Sequence, residues 1–314
     1  MNLGATVLTV VQVAGVVGVS PLLVGVLRQV RARLEGRAGP GVWQPWRDLR
    51  KLTRRPPATP DGTGPAFRLA PLVLLGTSLV VAAVVPLITT SSPLDPAADL
   101  FAVVALLALG TVTLALAALD TGTAFGGMGA SRAMTVLALA EPTILVAVFA
   151  LSARVGSTNL GAIVTAGLHD PLRVASPASL LAAVALVVVT IAETGRLPVD
   201  NPATHLELTM IHEAMVLEYA GRDLALVELA ASIRLTVLLG LLASLFAPWG
   251  IAGASLASLP LALLAFTAKV GLLGAGLGTV EVFLAKLRLF RIPELLAGSF
   301  LLALLAVAAS VVLA

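Results

Sequence analysis

The feature that most constrains this chain is a series of apolar runs, each about 20 residues long, recurring from its first residues to its last. About 20 apolar residues in a helix cross the ~30 Å hydrocarbon core of a bilayer. The expected fold class is therefore an all-α membrane protein with about eight transmembrane helices and two long cytoplasmic loops. The composition agrees, with 58% of the 314 residues hydrophobic and 12% charged, about half the charge of a soluble domain. Leu, Ala and Val dominate the runs, which suits helices packing against lipid and against one another through small residues.

Eight spans are expected, at about 3–27, 69–89, 100–119, 133–152, 178–195, 224–246, 258–282 and 293–313. No small-residue cleavage site follows the first, and its basic cluster comes after it, so it reads as a retained helix and not a signal peptide. The segments between spans differ in charge. One side carries the basic residues from Arg28 to Arg68, then Arg132, Arg196, Arg222, Lys286, Arg288 and Arg291, in all 16 of the 20. The other side carries Arg154 and Arg173, while Arg234 and Lys269 lie within spans. The positive-inside rule makes the richer side cytoplasmic and puts both termini outside. The reading is one polytopic domain over 1–314 in the cell inner (plasma) membrane, with cytoplasmic loops at about 28–68 and 193–223. The sequence pI of about 9.9 is explained by this topology and not by nucleic-acid binding.

The chain has no cysteine. It therefore has no disulfide, thiolate metal site, cysteine-ligated iron–sulfur cluster or cysteine nucleophile. His205 and His212 are seven residues apart, which is not a zinc spacing, and no metal or cofactor is expected on this chain. No phosphate loop, dinucleotide fingerprint or nucleophile elbow occurs in a credible context. Gly271, Gly274, Gly276 and Gly278 lie inside an apolar run and read as packing glycines. No half-chain repeat is visible, which weakens a secondary-transporter reading.

In the first long loop, Gly36, Gly39, Pro40 and Gly41 impose a turn after Arg37. Trp43, Trp46, Leu49 and Leu52 then recur at helical spacing between basic residues, the pattern of a short amphipathic helix on a membrane surface. It would anchor in lipid or offer a ledge for a soluble partner. The second long loop and its flanks hold Glu193, Asp200, Glu207, Glu213, Glu218, Asp223 and Glu228, seven of the seventeen acids. A helix over about 203–219, capped by Thr204, would bring Glu207 and Glu218 onto one face, with His205 and His212 opposite. Clustered carboxylates repel, and such a pair holds a proton. The alternative is a solvated acidic loop.

Glu141, before Pro142, lies in the fourth span. Glu193, Glu228, Arg234, Lys269 and Glu281 lie in or at the ends of others. A charge at a helix centre costs roughly 2.5–3.5 kcal/mol on insertion scales, so these groups should face the bundle interior and pair or titrate. Glu228 and Arg234 are six residues apart and do not face each other, so each needs a partner elsewhere. Together the six favour a hydrated polar path.

The stretch from Glu193 to Glu213, ETGRLPVDNPATHLELTMIHE, resembles the long cytoplasmic loop of the membrane-anchor subunit of formate hydrogenlyase and hydrogenase-4, which are group 4 [NiFe] hydrogenases. That family is similar to the eight-helix subunit of respiratory complex I that joins its membrane and peripheral arms. Glu218-Tyr-Ala-Gly-Arg resembles a Glu-Tyr-Ser-Gly segment of both. Glu35-Gly-Arg-Ala-Gly-Pro, followed by Gln44-Pro45, resembles their first loop. Gly195, Asn201-Pro202 and Thr204-His205 depart from the complex I pattern and match the hydrogenase type. The resemblance implies a non-catalytic anchoring and coupling subunit without a redox centre of its own. Its expected partners are the [NiFe] large and small subunits, iron–sulfur subunits and antiporter-like membrane subunits, with the [NiFe] centre and iron–sulfur clusters held by those partners. It assigns Glu193, Arg196, Asp200, Glu207, Glu213 and Glu218 to an acidic coupling loop, and Gly36, Arg37, Gly39 and Pro40 to a docking loop. Two alternatives stand beside it: a complex I-type quinone-chamber subunit, with the chamber beside the first helix and the Trp43–Trp46 segment, and a stand-alone ion transporter.

Overall fold

The computed structural model describes residues 3–170, 174–201, 209–253 and 255–312. Among these the chain is helical apart from turns and two isolated bridges. The helices are α1 (Leu3–Leu34), α2 (Gln44–Thr53), α3 (Pro65–Val84), α4 (Leu100–Asp120), α5 (Ala124–Ser152), α6 (Leu160–His169), α7 (Pro177–Glu193), α8 (His212–Val216), α9 (Gly221–Phe246), α10 (Leu259–Phe283) and α11 (Ile292–Val312). Seven are long and apolar enough to cross a membrane: α1, α3, α4, α5, α9, α10 and α11. α7, with 17 residues, occupies the remaining expected span and is at the short end of what crosses a bilayer.

α9 is the centre of the bundle. It packs against α1, α2, α3, α7 and α10, and 18 of its 26 residues are buried. Around it, α3, α4, α5 and α11 follow in contact, α7 packs between α5 and α11, and α1 packs on α10. Large apolar side chains such as Leu261, Leu272 and Leu301 point outward, as suits helices solvated by acyl chains. α1 has 32 residues and is about 48 Å long. It outruns the hydrocarbon core and carries Arg28, Arg31 and Arg33 beyond it.

Two boundaries differ from the sequence expectation. The second span ends at Val84 instead of continuing to 89. Pro86 disfavours helical geometry at Val85, whose ψ is 132°. The unwound backbone stays buried because Gln12 of α1 serves it: Nε2 donates to the carbonyls of Ala82 and Val85, and Oε1 accepts from the amides of Ile88 and Thr89 at 3.0 and 3.2 Å. Non-helical backbone at such depth needs this pairing. The fourth span starts nine residues early, at Ala124, through a glycine-rich stretch. Gly129 is there for closeness: a Cβ on it would lie 2.8 Å from Cβ of Ala214.

The second long loop is not one helix. Thr209 to Ile211 is non-helical, and α8 covers only His212–Val216. Thr204, His205 and Glu207 lie outside the described residues, so the expected Glu207–Glu218 pairing does too. α2 forms as expected, with Pro45 in its first turn. It packs on α1 and α9, so it lies across the end of the bundle and not simply on lipid.

Candidate functional site: a charged cavity above buried ion pairs

The loops after α1, α7 and α10 meet at one end of the bundle, the charged end. There a cavity of about 720 Å³ opens between α1, α2, residues 194–200 and 212–213, α9 and the end of α10. Its lining is two-faced. Val24 and Leu27 of α1 and Pro45, Leu49 and Leu52 of α2 make an apolar wall, while Arg28, Arg31, Arg196, Asp200, Glu228 and Glu281 bring charge.

Glu281 is the most enclosed of these, with a side chain 0% exposed. Its Oε2 lies 3.9 Å from Arg31 Nη1 and its Oε1 lies 3.7 Å from Arg196 Nη1. Both are ion-pair distances, longer than direct hydrogen bonds, and neither oxygen has a hydrogen-bond partner among the described residues. Burial pulls the Arg196 guanidinium below its ordinary value, and Glu281 partly offsets this.

Adjoining the cavity is a smaller pocket of about 90 Å³, lined by Glu193, Thr194, His212, Met215 and Arg234 among others. That volume has room for several water molecules. Arg234 lies 13 residues along α9, about 20 Å from its start. Its Nη2 bonds Glu193 Oε2, and its Nη1 donates to the carbonyl of Leu107 in α4 at 3.0 Å. Arg234 is thus paired with Glu193 from another helix, as the six-residue offset from Glu228 required. Glu141 of α5 interacts electrostatically with both Glu193 and Arg234. Its Oε1 is buried without a hydrogen-bond partner among the described residues.

Asp200, 1% exposed, ties the loop together. Oδ2 accepts from the amides of Ile211 and His212 at 3.0 and 3.1 Å, and Oδ1 accepts from Asn201 N and from Lys286 Nζ at 3.2 Å. Leu287 N donates to the carbonyl of Pro198, so the α10–α11 turn is bound to the same loop. Tyr219 anchors the far end of the loop. Its ring stacks on Phe67 with centroids 4.2 Å apart, and its hydroxyl donates to Phe67 O at 2.9 Å. Burial, with help from Asp223 and Asp120, pushes this phenol above its usual range.

The remaining expected site residues fall elsewhere. Glu213 lines the large cavity, and Glu218 is exposed at the charged end. Lys269 sits apart from the acids. Its Nζ donates to the carbonyls of Ala247 and Trp249 at 3.0 and 2.9 Å and lies 5.1 Å from the Trp249 ring. It caps the C-terminal end of α9 at the opposite end of the bundle, where a cation is favoured. Gly36 and Gly39 form the turn with φ of 76° and 77°. Gln29 holds it, accepting from Gly41 N and donating to Ala38 O. Arg37 is exposed and pairs with Glu35, and Pro40 lines the cavity mouth. Trp43 is 62% exposed, whereas Trp46 turns inward, its Nε1 donating to Gly18 O at 3.4 Å. Among the described residues no group of His, Asp or Glu is placed to hold a metal ion. Gln12, Tyr219 and the role of Asp200 as a knot are what spacing did not single out. A buried polar residue inside an apolar run was the available signal for Gln12.

The family model for NADH dehydrogenase matches residues 6–313. Hydrogenase-4 component C of Escherichia coli (strain K12) is 36% identical over 91% of this chain and 90% of its own length. Formate hydrogenlyase subunit 4 of the same organism is 36% identical over 92% of this chain and 93% of its own. In fold, the chain matches one from the membrane-bound sulfane sulfur reductase, an archaeal respiratory membrane complex, with a TM-score of 0.81 at 20% identity over 97% of this chain and 98% of that one. The chain is a multi-pass membrane protein of the NADH dehydrogenase family, similar over nearly its whole length to hydrogenase-4 component C and formate hydrogenlyase subunit 4.

Proposed function

We infer that this chain is the membrane-anchoring and coupling subunit of a membrane-bound [NiFe] hydrogenase complex of the formate hydrogenlyase type. The relatives support the anchoring role, since both are named as parts of hydrogenase or hydrogenlyase assemblies. One observation carries the coupling role. Ionisable groups run from an open cavity at the charged end, past Glu281 and its arginines, to the Glu193–Arg234 pair and Glu141 at membrane depth. Each such group is costly in a bilayer, and a series of them is the composition of a hydrated proton path. In this reading the charged end is cytoplasmic, α7 is the eighth span, and the 28–68 and 193–223 loops dock a redox arm. That arm carries the [NiFe] centre and iron–sulfur clusters on its own subunits. Antiporter-like subunits adjoin the bundle within the membrane.

Affinity purification from gently solubilised membranes tests the assembly. A [NiFe] large subunit and iron–sulfur subunits are expected with this chain, and their absence sinks the reading. Glu141→Gln tests the coupling, with redox turnover expected to persist while proton translocation falls by roughly tenfold or more.

A second reading has one observation in its favour. The large cavity joins an apolar wall to an arginine-rich one beside α1 and α2, as a quinone chamber would. Quinone-dependent turnover sensitive to Leu49→Trp would support it. The stand-alone ion transporter has no comparable support.

A further inference from the structure

Two cavities adjoin at the charged end, and four of the described residues line both of them: Thr194, Gly195, His212 and Ala231. They form the shared boundary, or partition, between the large cavity and the smaller pocket. Gly195 and Ala231 have no polar side chain. Thr194 Oγ1 is engaged, donating to Thr190 O at 2.6 Å. The imidazole of His212 is half-buried and makes no hydrogen bond to another described residue. Imidazole has two ring nitrogens, one donating while the other accepts, so it can take a proton on one side of a partition and give one up on the other.

We propose that His212 is the proton relay across this partition, a reading that rests on the coupling role inferred above. An excess proton arriving from bulk through water in the open cavity adds to one ring nitrogen, forming the imidazolium. The other nitrogen releases its proton to water in the pocket that holds Glu193 and Arg234. A ring rotation then turns the protonated nitrogen toward the pocket and the bare nitrogen toward the open cavity, so the net event is one proton moved inward. The backbone is built to hold the ring there. Asp200 Oδ2 clamps the amides of Ile211 and His212, and Lys286 on the neighbouring turn clamps Asp200. Gly195 backs the histidine, since a Cβ on that glycine would lie 3.5 Å from His212 Cβ. The charged groups sharing the two cavities with the ring are Glu193 and Arg234 on the inner side, and Arg196, Asp200, Glu228 and Glu281 among those on the outer side. The inner pair is therefore the next station, and the outer group is the field through which the proton arrives.

The test uses the intact complex in inverted membrane vesicles driven by its own electron donor, with redox turnover and proton uptake measured together. His212→Ala is expected to lose proton uptake by roughly tenfold or more, as removal of a proton-transfer group does. Imidazole added to the buffer should restore uptake in His212→Ala, because the 720 Å³ cavity admits it. It should not restore uptake in His212→Gln, where the side chain fills the space. A purely structural histidine would not answer to imidazole. Normal uptake in His212→Ala, or a loss in an assembled complex that imidazole leaves unchanged, overturns the relay. If that happens while Glu141→Gln still abolishes uptake, the relay falls and the coupling role stands. If the unmodified complex takes up no protons, both fall.

Discussion

Arg234 and Glu193 place opposite charges on two helices at membrane depth, with Leu107 O as a third contact. Removing one partner of a buried pair strands the other and costs about 3–5 kcal/mol, whereas removing both costs much less. Glu193→Gln is therefore expected to lower the thermal stability of the purified complex in detergent. Glu193→Gln combined with Arg234→Gln should recover part of that loss, and simple additivity would show that the two do not act as a pair. Asp200 works differently, through backbone amides. Asp200→Asn loses the Lys286 ion pair and part of the acceptor capacity serving Asn201, Ile211 and His212. Hydrogen exchange should speed at Ile211 and His212 and leave the core of α9 protected, and unchanged exchange at both amides would contradict this knot. At this scale Glu193 and Arg234 stand out in the sequence, because charge in or beside an apolar run is conspicuous. The sequence did not mark their partners, since Glu193 and Arg234 are 41 residues apart and no helical period links them.

At the scale of elements, α2 depends on one close approach. A Cβ on Gly25 of α1 would lie 2.0 Å from the Val42 carbonyl oxygen. That contact is with backbone, so no rotamer change relieves it. Gly25→Ala should lift the start of α2 from α1 and open the apolar wall of the large cavity. Trypsin cleavage at Arg47, Arg50 and Lys51 should then accelerate in membranes, and an unchanged cleavage rate would show that α2 seats independently of Gly25. The amphipathic pattern of α2 was readable from Trp46, Leu49 and Leu52. That its apolar face meets helices as well as lipid was not, because both are apolar and the spacing is the same. The break after Val84 and the early start of α5 have the same origin. Pro86 and the glycines gave ambiguous local signals, which Gln12 and Ala214 resolved from elsewhere in the chain.

For the whole molecule, the distribution of basic residues predicts which end faces the cytoplasm. The absence of cysteine makes each introduced thiol a unique probe. Thr53 and Ala97 are both exposed, at the charged and the opposite end respectively. A membrane-impermeant maleimide applied to intact cells stripped of outer wall should label the Ala97→Cys variant and not the Thr53→Cys variant. The reverse labelling would invert the topology. Lys269 also belongs to this scale. It holds the α9–α10 connection at the opposite end through Ala247 and Trp249, far from the carboxylates grouped with it by sequence.

The sequence by itself determined the membrane class, the approximate spans, the charge asymmetry and the family resemblance. These follow from local composition, from the length of apolar runs and from contiguous motifs, none of which needs distant residues to meet. Only the tertiary structure decided what the charges do. It brought Arg31, Arg196 and Glu281 from three segments to one wall, joined Glu193 to Arg234, and set His212 between two cavities. The reason is physical: in a bilayer a buried charge must find a counter-charge or water wherever packing provides one. That partner is chosen by how the helices cross, which no single segment encodes. The apolar runs with which the chain declares itself thus define the solvent it folds in, and the packing of α9 at their centre decides which charges meet.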